Sequence, residues 1–153
     1  MISNVRALFF DSNIWVALTF SAHPFHLSAT AVLESCSETN AAVCCRATEQ
    51  SFLRLITTAT LANAYGFPNL SNRQALGILA DFLQLPYVNF QDEPPATHEL
   101  WLRLADRSTG SPKLWMDAYL AAFAISASLR FVTTDKDFRQ FQPNGLDLHL
   151  LEP

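Results

Sequence analysis

The chain has 153 residues, the length of one ordinary domain, and its 10 Lys and Arg against 14 Asp and Glu give a formal charge of −4. Half of the residues are hydrophobic and only 16% are charged, which excludes a disordered chain, a coiled coil and a basic nucleic-acid-coating protein. So much apolar material predicts some surface that meets another chain. No segment approaches the ~20 apolar residues of a membrane helix. The N-terminus, MISNVRALFF, runs into Asp11 with no small-residue cleavage site, so no signal peptide is expected. Cys36, Cys44 and Cys45 make neither a CxxC nor an even-numbered framework, which points to a reducing, cytoplasmic setting.

Residues 5–10, VRALFF, read as a buried strand ending at Asp11, after which Asn13 can cap a helix carrying Ile14, Trp15 and Leu18. Pro24 opens a second helical stretch with Leu27, Ala31 and Val32 at helical spacing. AAVCC at 41–45 is a second strand, and Thr48 can cap the next helix, with Phe52, Leu55 and Ile56 as its stripe. GFPNLSN at 66–72 is turn chemistry. A helix over 73–84 places Leu76, Leu79, Ala80 and Leu83 on one face, and Pro86 ends it. YVNF at 87–90 is a third strand. A helix runs from Pro94 and Pro95 to about Arg107, and a longer one spans 113–129. FVTT at 131–134 and LHLL at 148–151 are the fourth and fifth strands. Strands alternating with helices predict a parallel sheet covered on both faces, in one domain over 1–153.

Four acids stand out by position. Asp11 and Asp135 each directly follow an apolar strand, Glu49 lies in the first helical turn after another, and Asp117 opens the apolar helix LWMDAYLAAFAI. In an open parallel sheet, sites form at the carboxyl ends of the strands, where these acids converge by chain order. Singly, each has an ordinary explanation as a helix-start or turn residue. Asp117 is the exception: its neighbours are apolar and position 121, four residues on, is Ala121. An unpaired buried carboxylate would cost several kcal/mol or take up a proton. Converging carboxylates are reconciled by a divalent cation, and oxygen ligands suit Mg²⁺ or Mn²⁺. Removing these four acids leaves 10 acidic and 10 basic residues, so the net charge is that of the site. Arg54 and Lys113 are the candidates for gripping a substrate.

These segments resemble the PIN-domain family, in particular its VapC-type ribonuclease toxins, over about residues 7 to 142. LFFDSNIWVAL is similar to the family's opening strand and Asp-bearing turn, ATEQSFLRLIT to its second motif, WMDAYLAAFA to its third and FVTTDKDF to its fourth. Four motifs in order are specific where one is not. LWMD departs from many relatives, which carry a small or polar residue before the Asp. The resemblance implies a three-layer α/β/α sandwich and metal-dependent cleavage of RNA. By match, Asp11, Glu49, Asp117 and Asp135 hold the Mg²⁺, Asp137 is a possible fifth ligand, and Asn13 and Thr134 support them. The resemblance also implies a homodimer and a cognate antitoxin.

Chemically, carboxylate-held Mg²⁺ lowers the pKa of a water that then attacks the phosphodiester in line, which needs no His or Ser nucleophile. RNA would enter as a loop or single strand. Two rival readings stand beside this one. A phosphatase using Asp11 as nucleophile would want a second Asp where Asn13 stands. A non-enzymatic binding module leaves Asp117 unexplained. His23 and His26 read as structural.

Overall fold

The computed structural model describes residues 6–153, so the first five residues, including Val5 of the expected first strand, lie outside the described residues. Five strands, β1 (Leu8–Phe10), β2 (Ala42–Cys44), β3 (Val88–Phe90), β4 (Arg130–Thr133) and β5 (Asp147–Leu150), form one sheet in the order β3-β2-β1-β4-β5. Every neighbouring pair is parallel, as the alternation of strands and helices predicts. β1 is central, which places Asp11 at the middle of the sheet's carboxyl edge.

Alternation along the short strands sorts side chains into two cores. Phe9, Val43 and Phe131 face one side, packed by α6 (Thr97–Ala105) and α7 (Leu114–Ser126). Phe10, Ala42, Cys44 and Val132 face the other, under α1 (Ser12–Thr19), α2 (His26–Glu34), α3 (Arg46–Ile56) and α5 (Asn72–Leu83). Aromatic rings knit both layers, with Phe9 4.8 Å from Phe123 on one side and Trp15 5.0 Å from Phe10 on the other. The result is the expected three-layer α/β/α arrangement.

Several local expectations are corrected. The cap of α1 is Asp11 rather than Asn13: its carboxylate accepts from the Ser12 amide at 2.7 Å. The cap of α3 is Cys45, and Thr48 instead reaches back, its hydroxyl accepting from the Cys45 amide at 2.9 Å. The helical region after β2 breaks at Thr57 and Thr58, whose hydroxyls bond back to Leu53 and Arg54 carbonyls, and a short α4 (Ala59–Ala64) follows. The expected face of α5 is only partly inward: Leu79 packs on the core together with Ala75, Ile78 and Phe82, while Leu76 is 56% and Leu83 37% exposed. Both stripes have helical spacing, and Phe82 decides the rotation by stacking on Trp15 at 5.2 Å. α6 starts two residues after Pro95. A 3₁₀ helix over Lys136–Asn144, not foreseen as an element, follows β4 and buries Phe138 and Phe141.

His23 and His26 make local hydrogen bonds: the Phe25 amide donates to His23 Nδ1, and His26 Nδ1 lies 2.8 Å from the Ala17 carbonyl. No helix among the described residues is long and apolar enough to cross a membrane.

Candidate active site

The register of β1 against β4 builds the centre of the site. Phe9 pairs with Phe131 and Phe10 with Val132, so the next residues, Asp11 and Thr133, stand side by side. Both follow the same face by alternation, and the Thr133 hydroxyl donates to Asp11 Oδ2 at 2.7 Å. This hydrogen bond is made by Thr133, the last residue of β4, and not by Thr134, the residue expected to support the acids, which lies just past the strand. Thr133 Oγ1 also accepts from the Asp135 amide at 3.1 Å and from Asn13 Nδ2 at 3.5 Å. One buried hydroxyl thereby orients Asp11, Asn13 and the start of the Asp135 turn. Asn13 reaches Thr133 rather than Asp11 itself.

Asp11 is 6% exposed. Burial pushes its carboxyl from 3.8 up to about 6, the negative charges of Asp117 and Asp135 add to the rise, and the hydrogen bonds from Thr133 and Ser12 oppose it. Asp117 is also raised, first by burial and then by Asp135 and Asp137, against the lowering effect of Lys113. Three of the four expected acids, Asp11, Asp117 and Asp135, thus feel one another's charge. Asp135 is fixed by the Asp137 amide, which donates to its Oδ1 at 2.9 Å.

Asp117 is not unpaired as its apolar neighbours suggested. The Lys113 ammonium, one helical turn before it, donates to Asp117 at 2.7 Å, to Asp135 at 2.7 Å and to Asp137 at 3.0 Å. The partner was sought four residues after Asp117 and stands four residues before it. Lys113 is therefore part of the acidic cluster itself. Glu49 sits in the first turn of α3, beyond the end of β2, 6% exposed and paired with Arg46 at 2.7 Å. Burial raises its carboxyl and Arg46 opposes the rise. The Arg46 guanidinium in turn lies 4.7 Å over the Phe90 ring. Arg54 does not join the acids: it is in the last turn of α3, lining a separate surface cleft with Leu53, Thr57 and Leu76.

Among the described residues, no three His, Cys, Asp or Glu side chains are grouped tightly enough to hold an ion as they stand. The donor set nonetheless fits a hard divalent cation. It is all oxygen, it carries excess negative charge, a lysine ammonium is already drawn into it, and the buried Asn13 Oδ1 beside it has no hydrogen-bond partner.

The PIN domain family model matches residues 8–142. The chain belongs to the PIN-domain family. It is 42% identical over 142 residues to Ribonuclease VapC41 of Mycobacterium tuberculosis, covering 92% of this chain and 96% of that protein. Its fold is similar to VapBC2 from Rickettsia felis, solved bound to a DNA fragment from their promoter, with a TM-score of 0.62, 15% identity, and coverage of 95% of this chain and 99% of that one. It is likewise similar to Mycobacterium tuberculosis VapC20, a sarcin-ricin-loop-cleaving toxin, with a TM-score of 0.61, 16% identity, and coverage of 92% and 96%.

Proposed function

We propose that this chain is a Mg²⁺-dependent endoribonuclease, with Mn²⁺ able to replace Mg²⁺, and the toxin of a toxin–antitoxin pair. The observation that carries the reading is the convergence of Asp11, Asp117 and Asp135, from three separate segments, on one sheet edge around a buried carboxyl shifted to about 6. The 42% identity to a ribonuclease over nearly the whole chain supports the choice of substrate. Asp11, Glu49, Asp117 and Asp135 would hold the ion, with Asp137 at the rim. A bound divalent cation supplies Lewis acidity at the phosphodiester and makes water a usable nucleophile near neutral pH.

The protein's own groups do the rest. Thr133 and the Ser12 amide fix both oxygens of Asp11, leaving their outer lone pairs for the site. The Asp137 amide fixes Asp135 in the same way. Burial keeps bulk water away from Asp11 and Glu49, so charges there act at low dielectric. Lys113 supplies the positive charge nearest the acids and Arg46 the positive charge beside Glu49. RNA would be bound as a loop or single strand, since a stacked duplex does not present its phosphodiester to a crevice between strand ends. The partners proposed with this activity are RNA, a cognate antitoxin protein and a second copy of the chain, in the cytoplasm. The phosphatase reading is disfavoured because Asn13, at the position of the needed acid, donates to Thr133.

The test is digestion of RNA in Mg²⁺ by purified variants that keep side-chain shape. Asp11→Asn and Asp117→Asn are expected to abolish cleavage. Glu49→Gln is expected to slow it strongly and Asp135→Asn measurably. Asp106→Ala, at the exposed end of α6, is expected to cleave like wild type. Full activity in both Asp11→Asn and Asp117→Asn would overturn the assignment.

A further inference from the structure

The Lys113 ammonium has three protons and three carboxylate acceptors, Asp117 at 2.7 Å, Asp135 at 2.7 Å and Asp137 at 3.0 Å. No donor is left over, so the group fills the space between these acids as a small cation would. Its chemistry differs from that of a bound ion in two ways. Three carboxylates face one positive charge, so the cluster stays negative. The charge also rides on a flexible four-carbon stem, and the side chain is 57% exposed, so it can leave without unfolding anything. A place to go lies beside it: a surface cleft of about 230 Å³, lined by Lys113 itself with Arg107, Thr109, Ser111, Asp137 and Gln140.

We propose that Lys113 is a resident counter-cation, which holds Asp117, Asp135 and Asp137 together in the metal-free protein and is displaced into the adjoining cleft when a divalent cation binds. This rests on the metal-site reading above and adds a competitor to it. Lys113 is on this view a positioning residue, not a ligand. In the metal-free state it keeps the acids from repelling one another apart. In the loaded state its ammonium lies beside Arg107 at the edge of the site, where two positive charges face the RNA backbone. The price of this arrangement is affinity, because the entering ion must first break three ion pairs.

The experiment is calorimetric titration of the metal-free protein with Mn²⁺, using wild type, Lys113→Met and Lys113→Arg. Lys113→Met keeps the stem and removes the competing charge. It is expected to bind Mn²⁺ roughly tenfold more tightly than wild type. Its thermal midpoint is expected to rise more on Mn²⁺ saturation than that of wild type. Lys113→Arg, which keeps the charge, is expected to stay within about twofold of wild type. Equal or weaker Mn²⁺ binding by Lys113→Met overturns the counter-cation role and leaves the metal site standing. Tighter binding by both variants also overturns it, because charge would not then be the cause. Mn²⁺ binding by none of the three proteins overturns the metal-site reading and this role together.

Discussion

Asp11 carries the largest electrostatic cost among the site's acids. It caps α1, faces Thr133 and is buried, with its carboxyl raised from 3.8 to about 6. Well below 3.8, at about pH 2.5, it is neutral in both folded and unfolded chains. Between 3.8 and about 6 the unfolded chain has released its proton while the folded protein still holds one, so stability falls across that window and is level above it. At pH 7.5 the difference amounts to about 3 kcal/mol. Asp11→Asn keeps the cap and removes the charge, so it should raise the stability of the metal-free protein at pH 7.5 by about 1–2 kcal/mol. The gain is less than the whole because the new amide must re-pair with the Thr133 hydroxyl. At about pH 2.5, where the carboxyl is protonated in both states, this charge difference between the two proteins should disappear and the gap in their unfolding denaturant concentrations should close. A variant that is less stable than wild type at pH 7.5 would show that Asp11 is structurally needed as an anion. Thr133→Val tests the same pair from the other side: the lost hydrogen bond to a buried carboxyl should cost about 1–3 kcal/mol in urea unfolding. A Thr134→Val variant, just past the end of β4 and half-buried, should cost clearly less.

At the scale of elements, the site is held from below by packing. Asp135 and Asp137 start the 3₁₀ helix after β4, and the anchor of that helix is Phe138, 1% exposed and 4.6 Å from the Phe131 ring. Phe138→Ala should destabilise the protein by about 3–5 kcal/mol, since a buried ring leaves a cavity that short strands cannot close. Below its lowered melting temperature it should still cleave RNA more slowly than wild type, because Asp135 loses its support. Unchanged cleavage and stability would show that this helix does not position the acid. The opposite expectation applies to the outward stripe of α5. Leu76 and Leu83 are substantially exposed, so Leu76→Ser should cost well under 1 kcal/mol in the isolated chain.

For the whole molecule, the parallel sheet between two helical layers was legible because strands alternate with helices along the chain, whereas the strand order β3-β2-β1-β4-β5 is something that alternation does not specify. The convergence of Asp11 and Asp135 was legible because residues that follow the strands of a parallel sheet share one edge, and that of Asp117 because it opens the helix that leads into β4. What sequence spacing left open was set by register and rotation. Thr133 rather than Thr134 touches Asp11 because β1 and β4 pair in one particular register, which chain order alone does not specify. The i, i+4 relation of Lys113 to Asp117 was readable, but only by looking backward along the helix. Of the large apolar groups in the first two helical segments, Trp15 and Phe20 are buried, against Phe82 and Tyr65 respectively, while Leu27 is 84% exposed. Leu27, Leu102, Trp115 and Met116 remain as exposed apolar groups. They support a homodimer, and light scattering at micromolar concentration should give twice the monomer mass of 17.1 kDa. A monomer mass would contradict it.

The central claim is that this sheet edge hydrolyses RNA with the help of a divalent cation. It is tested most directly by following RNA cleavage by the wild-type protein through chelation and restoration. Cleavage should stop in EDTA and return when Mg²⁺ is added in excess. Cleavage that continues in EDTA would contradict the account, because the acids would then have no ion to hold.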